Sequence, residues 1–416
     1  MSDTSSMNNP SRRSFFGFTT GGLAVLAGCS PTRGTAVPIE QTEHATVLGV
    51  PNERFFPFYG TDPLEAEFQA AAVRLRASRG LAPNAQLGQV RLLSVSGGGE
   101  NGAFGAGLLC GWSDHGTRPV FELVTGVSTG ALTAPFAYLG SSYDPQLRSV
   151  YTDLTVSRVL SKRFLTAAIY DDAMTDNSPL FTTISGYLDE AMLAAIAKGY
   201  DDGRLLLIGT SDLDAQHPVI WNMGAIATSG HPRALDTIRR ILLASAAIPG
   251  AFPPTMFDVT LNGKPYQEMH VDGGAFAQAF LYPVSMTRSR RQRMADGTFV
   301  VPAVAYVIRN GRLDPEWAKV ERSTMGIASR AISTMIAASG MNDVLRMYNT
   351  TLRDGVDFNL AYIGSDFTQK LPEPFDQGYM RALFNYGYER ARRGYDWSKQ
   401  PPTLGAGGGN VPPLPS

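Results

Sequence analysis

The chain is poor in the side chains that hold metals and cofactors. Its two cysteines and five histidines in 416 residues form no cluster with metal-ligand spacing, so neither a metal nor a cofactor is expected. No glycine run ends in the Gly-Lys-Ser/Thr of a P-loop. None has the fixed Gly-x-Gly-x-x-Gly spacing followed by a ribose-binding acid, which argues against a nucleotide. Neither sign of charge dominates: 36 basic against 37 acidic residues leave no electrostatic footprint for nucleic acid. No internal repeat stands out.

What is present is glycine at telling places. Ser128 is the centre of Gly126-Val127-Ser128-Thr129-Gly130. Val120–Val124 reads as a short strand before it, and Ala131–Ala134 opens a helix after it. A strand–turn–helix holds such a serine exposed at the C-terminal edge of a sheet, with Gly126 and Gly130 allowing close backbone approach. An ordinary tight turn with a capping serine gives the same local pattern. One strand–helix unit upstream, the strand Val90–Val95 runs into Ser96-Gly97-Gly98-Gly99-Glu100-Asn101-Gly102, and a helix rich in small residues follows from Ala103 to Cys110. Consecutive glycines at a helix N-terminus turn N–H groups outward and can hold an anion, either a phosphate or a transient oxyanion. A nucleophilic serine needs such donors and also a base. Asp272-Gly273-Gly274 offers the base.

Four blocks together resemble the patatin-like phospholipase family: the loop Gly97–Gly102, the elbow Gly126–Gly130, the run Ala244–Pro254 with its Ile248-Pro249-Gly250 and Phe252-Pro253-Pro254, and Asp272-Gly273-Gly274. They cover the chain from about Val90 to Val284. The resemblance implies a three-layer α/β/α fold with a mostly parallel central sheet and a nucleophile elbow. It also implies a Ser–Asp dyad without histidine, with Ser128 as nucleophile and Asp272 as base. The loop Gly97, Gly98, Gly99, Glu100, Asn101 and Gly102 would be the oxyanion hole, its donors the N–H groups around Gly98, Gly99 and Glu100. Many family members carry Arg or Lys where this chain has Asn101, so a side-chain cation is missing at that position. The implied activity is hydrolysis of phospholipids, lysophospholipids or simpler acyl esters through an acyl-serine. Acyl transfer to another acceptor and a non-catalytic envelope lipoprotein that binds lipid or a partner are the alternatives.

A hydrolase triad would need an acid and then a histidine after the serine. Only His217, His231 and His270 follow Ser128. His270 precedes Asp272 by two residues, on the same strand face, and reads as a buried polar residue. His217 and His231 precede prolines and read as loop residues.

Arg204–Thr210 and Phe299–Ile308 are apolar runs suited to strands covered on both faces, the second starting in earnest after Pro302. Leu235–Ala247 has helical apolar spacing. Strands alternating with helices argue a mostly parallel sheet between helical layers. Asp62 as N-cap, Pro63 and Glu65 begin a helix whose apolar face is Leu64, Phe68, Ala71 and Leu75, ending at Gly80. Its expected role is packing on the catalytic domain. After Gly311 the chain reads as helical, over Glu316–Tyr348 and Tyr379–Tyr395.

The N-terminus resembles a bacterial lipoprotein signal. Ser11-Arg12-Arg13-Ser14-Phe15-Phe16 is a twin-arginine pattern, and the apolar segment after it is too short to span a bilayer. Leu26-Ala27-Gly28-Cys29 matches a lipobox. That resemblance implies lipidation of Cys29, export, and anchoring to an envelope membrane, with Ser30 compatible with the outer membrane of a diderm cell. Only Cys110 would then remain, with no partner for an intramolecular disulfide. The expected organisation is a signal at 1–29, a tether and surface segment at 30–60, a catalytic domain at 61–400 with its core at 90–310 and a helical part at 311–400, and a disordered tail at 401–416.

Overall fold

The computed structural model describes residues 33–153, 161–162, 175–176 and 178–402. The expected signal, Cys29 and nearly all of the expected tail lie outside the described residues. Strand β1 (Arg54–Phe55) precedes helix α1 (Asp62–Ser78). Then come β2 (Val90–Val95), α2 (Gly102–Asp114), β3 (Leu123–Val127), α3 (Thr129–Leu139) and α4 (Asp144–Thr152). A small ribbon, β4 (Ser161–Lys162) with β5 (Thr175–Asp176), leads to α5 (Ser178–Tyr187) and α6 (Glu190–Asp201). Next are β6 (Leu205–Asp212), β7 (His217–Asn222), α7 (Met223–Thr228), α8 (Ala234–Ser245), β8 (Thr255–Leu261) and β9 (Lys264–Asp272). The C-terminal part adds α9 (Arg288–Ala295), β10 (Ala303–Arg309), α10 (Thr324–Arg353), β11 (Asp357–Tyr362) and α11 (Gln377–Arg392).

The main sheet runs β1-β7-β6-β3-β2-β10-β11. From β6 to β11 every neighbouring pair is parallel, whereas β7 and β1 extend the other edge antiparallel. Central strands of such a sheet have both faces covered, which explains why Leu92, Leu93, Val124, Leu206 and Ile208 are all buried. One core lies on the face covered by α2, α3, α8 and α11, the other on the face covered by α1 and α10. This is the three-layer α/β arrangement expected from the alternation of strands and helices. Strand β10 begins directly after Pro302, which has no N–H for the ladder.

The way β6 is shared sets up the rest. Its residues 207–212 pair with β7 on one edge. On the opposite edge β3 pairs only as far as Val127↔Gly209, and β9 takes over from Thr210↔Asp272. A strand has two edges, so β3 and β9 occupy one lane and meet end to end. Ser128 follows the last residue of β3, and Asp272 is the last residue of β9. Two residues 144 positions apart thereby arrive at one point.

Several elements differ from the sequence reading. Residues 33–60 do more than cross the surface. Glu53 accepts from the Val47 and Leu48 N–H groups at 2.6 and 3.0 Å, Arg54 forms a buried ion pair with Glu268 at 2.5 Å, and Phe55 and Phe56 enter the core. Helix α1 starts one residue earlier than expected, with Thr61 at its cap. His217 opens β7 rather than lying in a loop. The helical expectation for 311–400 is corrected twice. The long helix begins only after Ser323, whose hydroxyl accepts from the Gly326 N–H, and β11 intervenes in register with β10. The small residues of α2 have a packing reason: a Cβ on Gly107 or Gly111 would strike the Phe384 or Tyr388 carbonyl of α11. No described helix is long and apolar enough to cross a membrane.

Candidate active site

Ser128 sits in the turn between β3 and α3 with φ 57° and ψ −128°. A residue with a Cβ is strained there by about 1–3 kcal/mol, so the surroundings must hold it. Its N–H donates to the Ser245 hydroxyl at 3.0 Å, and that hydroxyl donates to the Gly209 carbonyl at 2.7 Å. Its carbonyl accepts from the Ala131 N–H at 2.8 Å. Gly126 and Gly130 flank the turn where it is tightest: a Cβ on Gly130 would strike the Val95 and Ser96 carbonyls.

Asp272 is buried, and its carboxyl group lies close enough to Ser128 for that side chain to act on its pKa. The Gly274 N–H donates to Oδ1 at 2.6 Å, and the Asp272 N–H is tied to the Ala247 carbonyl at 2.9 Å. Burial pushes the carboxyl up to about 7, although Ser128 and the Gly274 N–H pull the other way. A carboxyl poised near neutrality beside a hydroxyl can take its proton and return it.

The glycine loop stands against this pair: a Cβ on Gly97 would lie 3.1 Å from the Ser128 Cβ. Its N–H groups are not equivalent. Gly97 donates to the Gln278 carbonyl at 2.9 Å and Asn101 to the Gly98 carbonyl at 3.1 Å, and Gly102 is turned to the Glu100 and Gly99 carbonyls. Burial raises the Glu100 carboxyl, while its own N–H opposes that rise. The Gly98 and Gly99 N–H groups meet no acceptor among the described residues, at the foot of α2 where the helix dipole is positive. They are the free donors of the loop. Asn101 accepts from the Tyr379 hydroxyl at 2.7 Å through Oδ1, so its acceptor is spent on α11.

A cation is nevertheless present, from the end of β10. Buried Arg309 donates from Nη1 to the Gly97 carbonyl at 3.1 Å and to the Ser96 hydroxyl at 3.3 Å. Burial lowers its pKa to about 10, with Asp343 opposing. Asn310 latches the loop from the same strand end, donating to the Ser96 hydroxyl and carbonyl at 2.8 and 2.9 Å. A Cβ on Gly98 would collide with the Asn310 carbonyl, which is why that position needs glycine. Asp343 of α10 accepts from the Gln278 N–H at 2.6 Å, and Gln278 Nε2 donates to the Gly274 carbonyl at 3.0 Å. Ser245, Gln278, Arg309, Asn310 and Asp343 were not singled out from the sequence. Ser245 lay inside the Ala244–Pro254 block, but the others follow no local motif and become neighbours only through the sheet.

His270 is fully buried, bonded through Nδ1 to the Thr210 hydroxyl at 2.9 Å and through Nε2 to Glu268 at 3.1 Å. It joins neither Ser128 nor Asp272 among the described hydrogen bonds. With Asp212 and Glu268 it forms the one described group with metal-capable spacing. Glu268 is engaged by both Arg54 nitrogens, at 2.5 and 3.0 Å, so the cluster reads as an ion-pair network fastening β1 to β9. His217 instead packs edge-on against Phe58 and at a tilt against Tyr59.

Beside the pair, on the α1/α10 face, opens a cavity of about 490 Å³. Its wall nearest the pair is Val127 and Gly273, the chain neighbours of Ser128 and Asp272. Phe276, Phe280 and Met347 also line it, together with Arg291, Arg346 and Arg353. An apolar cavity with a few cations suits an amphiphile.

Residues 93–284 match the sequence model of the patatin-like phospholipase family. None of the curated protein sequences compared with this chain matches it. Among solved structures the chain is similar to VipD from Legionella pneumophila, with 12% identity and a TM-score of 0.34, over 74% of this chain and 66% of that one. The similarity therefore spans a little under two thirds of VipD's own length.

Proposed function

With residues 93–284 matching the sequence model of the patatin-like phospholipase family, a family of lipid acyl hydrolases, we infer that this chain cleaves acyl esters of lipids with Ser128 and Asp272 alone. The observation that carries the reading is the end-to-end meeting of β3 and β9, which sets Ser128 beside a buried Asp272 poised at about 7. As the Ser128 oxygen attacks the ester carbonyl, its proton passes to Asp272. The carbonyl oxygen becomes an oxyanion and is met by the Gly98 and Gly99 N–H groups. Collapse breaks the ester bond, and Asp272 gives the proton to the departing alcohol. Water then attacks the acyl-Ser128, Asp272 takes its proton, and the fatty acid leaves as Ser128 regains a proton. The cavity beside Val127 and Gly273 would take the acyl chain.

A fluorophosphonate probe tests this directly. Wild type should be labelled and Ser128→Ala should not, while Asp272→Asn should abolish ester turnover and His270→Ala should keep it. Loss of turnover in His270→Ala with normal folding, and its survival in Asp272→Asn, would point to a histidine base instead. An unlabelled, folded wild type would favour the non-catalytic envelope lipoprotein. Supplying an alcohol acceptor and following acyl ester formation separates hydrolysis from transfer. The reading also places the mature chain on an envelope membrane through lipidated Cys29. Fatty-acid labelling that disappears in Cys29→Ala checks that part.

A further inference from the structure

Helix α10 is two helices in one. Its rear half packs: Gly340 lies where a Cβ would strike the Arg309 guanidinium, Asp343 holds the Gln278 N–H, and Val344 and Met347 enter the core beside β10 and β11. Its front half, from Thr324 to Gly340, projects about 24 Å beyond that point at 1.5 Å per residue. Gly340 touches the group that sits under the glycine loop, so the arm rises from the same sheet edge as Ser128 and Asp272.

The arm is apolar and uncovered. Ile327 is 53% exposed, Ile332 50%, Met335 64% and Ile336 38%. At about 100° per residue these, with Ala328 and Ala331, fall within roughly half the helix circumference, opposite Arg330, Ser333 and Thr334. The rear half turns Gly340, Asp343, Val344, Met347 and Thr351 to the body. Ile327, Ala331 and Met335 continue in register into Asn342, Arg346 and Asn349, all exposed, whereas Ile332 and Ile336 continue toward buried Asp343, Met347 and Thr350. The apolar stripe therefore starts on the body side of the helix with Ile336 and Ile332 and turns outward through Met335, Ala331 and Ile327. Just before the arm, Trp317 is 89% and Val320 42% exposed. From Trp317 to Asn342 the charges are Lys319, Arg322 and Arg330 against Glu321 alone.

We propose that this arm, Trp317 together with the front half of α10, docks the catalytic edge on an anionic lipid surface. An amphipathic helix with a polar side and an apolar stripe lies in the plane of a bilayer interface, and an exposed tryptophan suits the headgroup level. The positive balance complements anionic lipid, and a water-soluble protein rarely leaves so large an apolar stripe uncovered without a partner. The proposal rests on the lipid-hydrolase reading for its purpose but not for its test.

The test uses the full chain carrying Cys29→Ala, so that no acyl anchor contributes. It is floated with vesicles of phosphatidylethanolamine and phosphatidylglycerol, and turnover of a water-soluble butyrate ester is followed in parallel. The parent should float. Ile332→Asp with Met335→Asp should reduce vesicle binding at least about tenfold and leave the thermal transition and soluble-ester turnover unchanged, and Ile327→Asp should act in the same direction. Equal flotation of parent and variants overturns the proposal, as does a parent that does not float. So does a parent that is a dimer and becomes a monomer in the variants, since a second copy would then cover the stripe. If flotation falls as expected but neither protein turns over ester, docking stands and the hydrolase reading falls.

Discussion

Arg309 donates from Nη1 to the Gly97 carbonyl oxygen at 3.1 Å, and that contact fixes the direction of the next N–H. The Gly97 carbonyl and the Gly98 N–H belong to one planar trans peptide, so they point in opposite directions. With the carbonyl held down to the buried guanidinium and the Ser96 hydroxyl, the Gly98 N–H is held outward. Arg309 is thus a positioning residue beneath the loop. It reaches the loop from below and supplies the charge that Asn101 does not.

Replacing Arg309 by lysine should keep the charge and lose the fixed reach. Turnover of a soluble ester is expected to fall about 10- to 100-fold with KM within about twofold, because orientation of an oxyanion donor acts on the transition state rather than on ground-state binding. A rise in KM at constant kcat would assign Arg309 to substrate binding instead. A purely structural role would lower the thermal transition and spare the kcat of the folded fraction.

The pH behaviour follows from Asp272. The base form is the carboxylate, so kcat/KM should rise with pH and reach half its plateau at about 7. Stability should run the other way. A carboxyl raised in the folded state from 3.8 to about 7 binds a proton more tightly than in the unfolded chain. Its burial then costs nothing below about pH 4, costs increasingly between about 4 and 7, and costs most above that. Asp272→Asn should therefore be inactive at every pH, should raise Tm at about pH 8 and should leave it nearly unchanged at about pH 4. A Tm gain equal at both pH values would mean that the charge is not the source of the cost.

How much of this was readable in the sequence depended on distance along the chain. Ser128 and the loop Gly97–Gly102 lie in contiguous strand–turn–helix units, whose glycines are dictated by local crowding, and Asp272 was visible because its Gly-Gly neighbours made it a block. Arg309 and Asn310 were hidden because nothing in Val307-Ile308-Arg309-Asn310 differs locally from an ordinary strand end. Their role exists only because β10 lies beside β2. The antiparallel entry of β9 into the lane vacated by β3 was equally hidden, since pairing register is a tertiary property. Strand β11 was missed because six residues between two long helices give too short a pattern to set against the helical signal around it.

Ser128 stores strain. At φ 57° a side chain is tolerated only because Ser245 and the α3 N-terminus hold the turn. Ser128→Gly should be inactive yet more stable than wild type by about 1 kcal/mol, seen as a higher urea midpoint, because glycine adopts this conformation freely. Ser128→Ala keeps the Cβ and should show no such gain. If both variants shift the midpoint equally, the strain is not at the backbone.

The cavity sets the last expectation. Its lining includes Val127 and Gly273 beside the pair and Phe280, Leu281 and Met347, so an acyl chain entering from Ser128 meets a mainly apolar surface. Each buried methylene contributes about 0.8 kcal/mol, about fourfold in kcat/KM if the contact is made in the transition state. Across a series of p-nitrophenyl esters, kcat/KM should therefore climb with chain length until the space is filled. Ala277, half-buried on the cavity wall, has no place in the dyad or the loop. Ala277→Phe should move the plateau to shorter chains and leave acetate ester turnover near the wild-type value. An unchanged length profile in a folded variant would exclude the cavity as the acyl site and put the chain on the open side of the glycine loop.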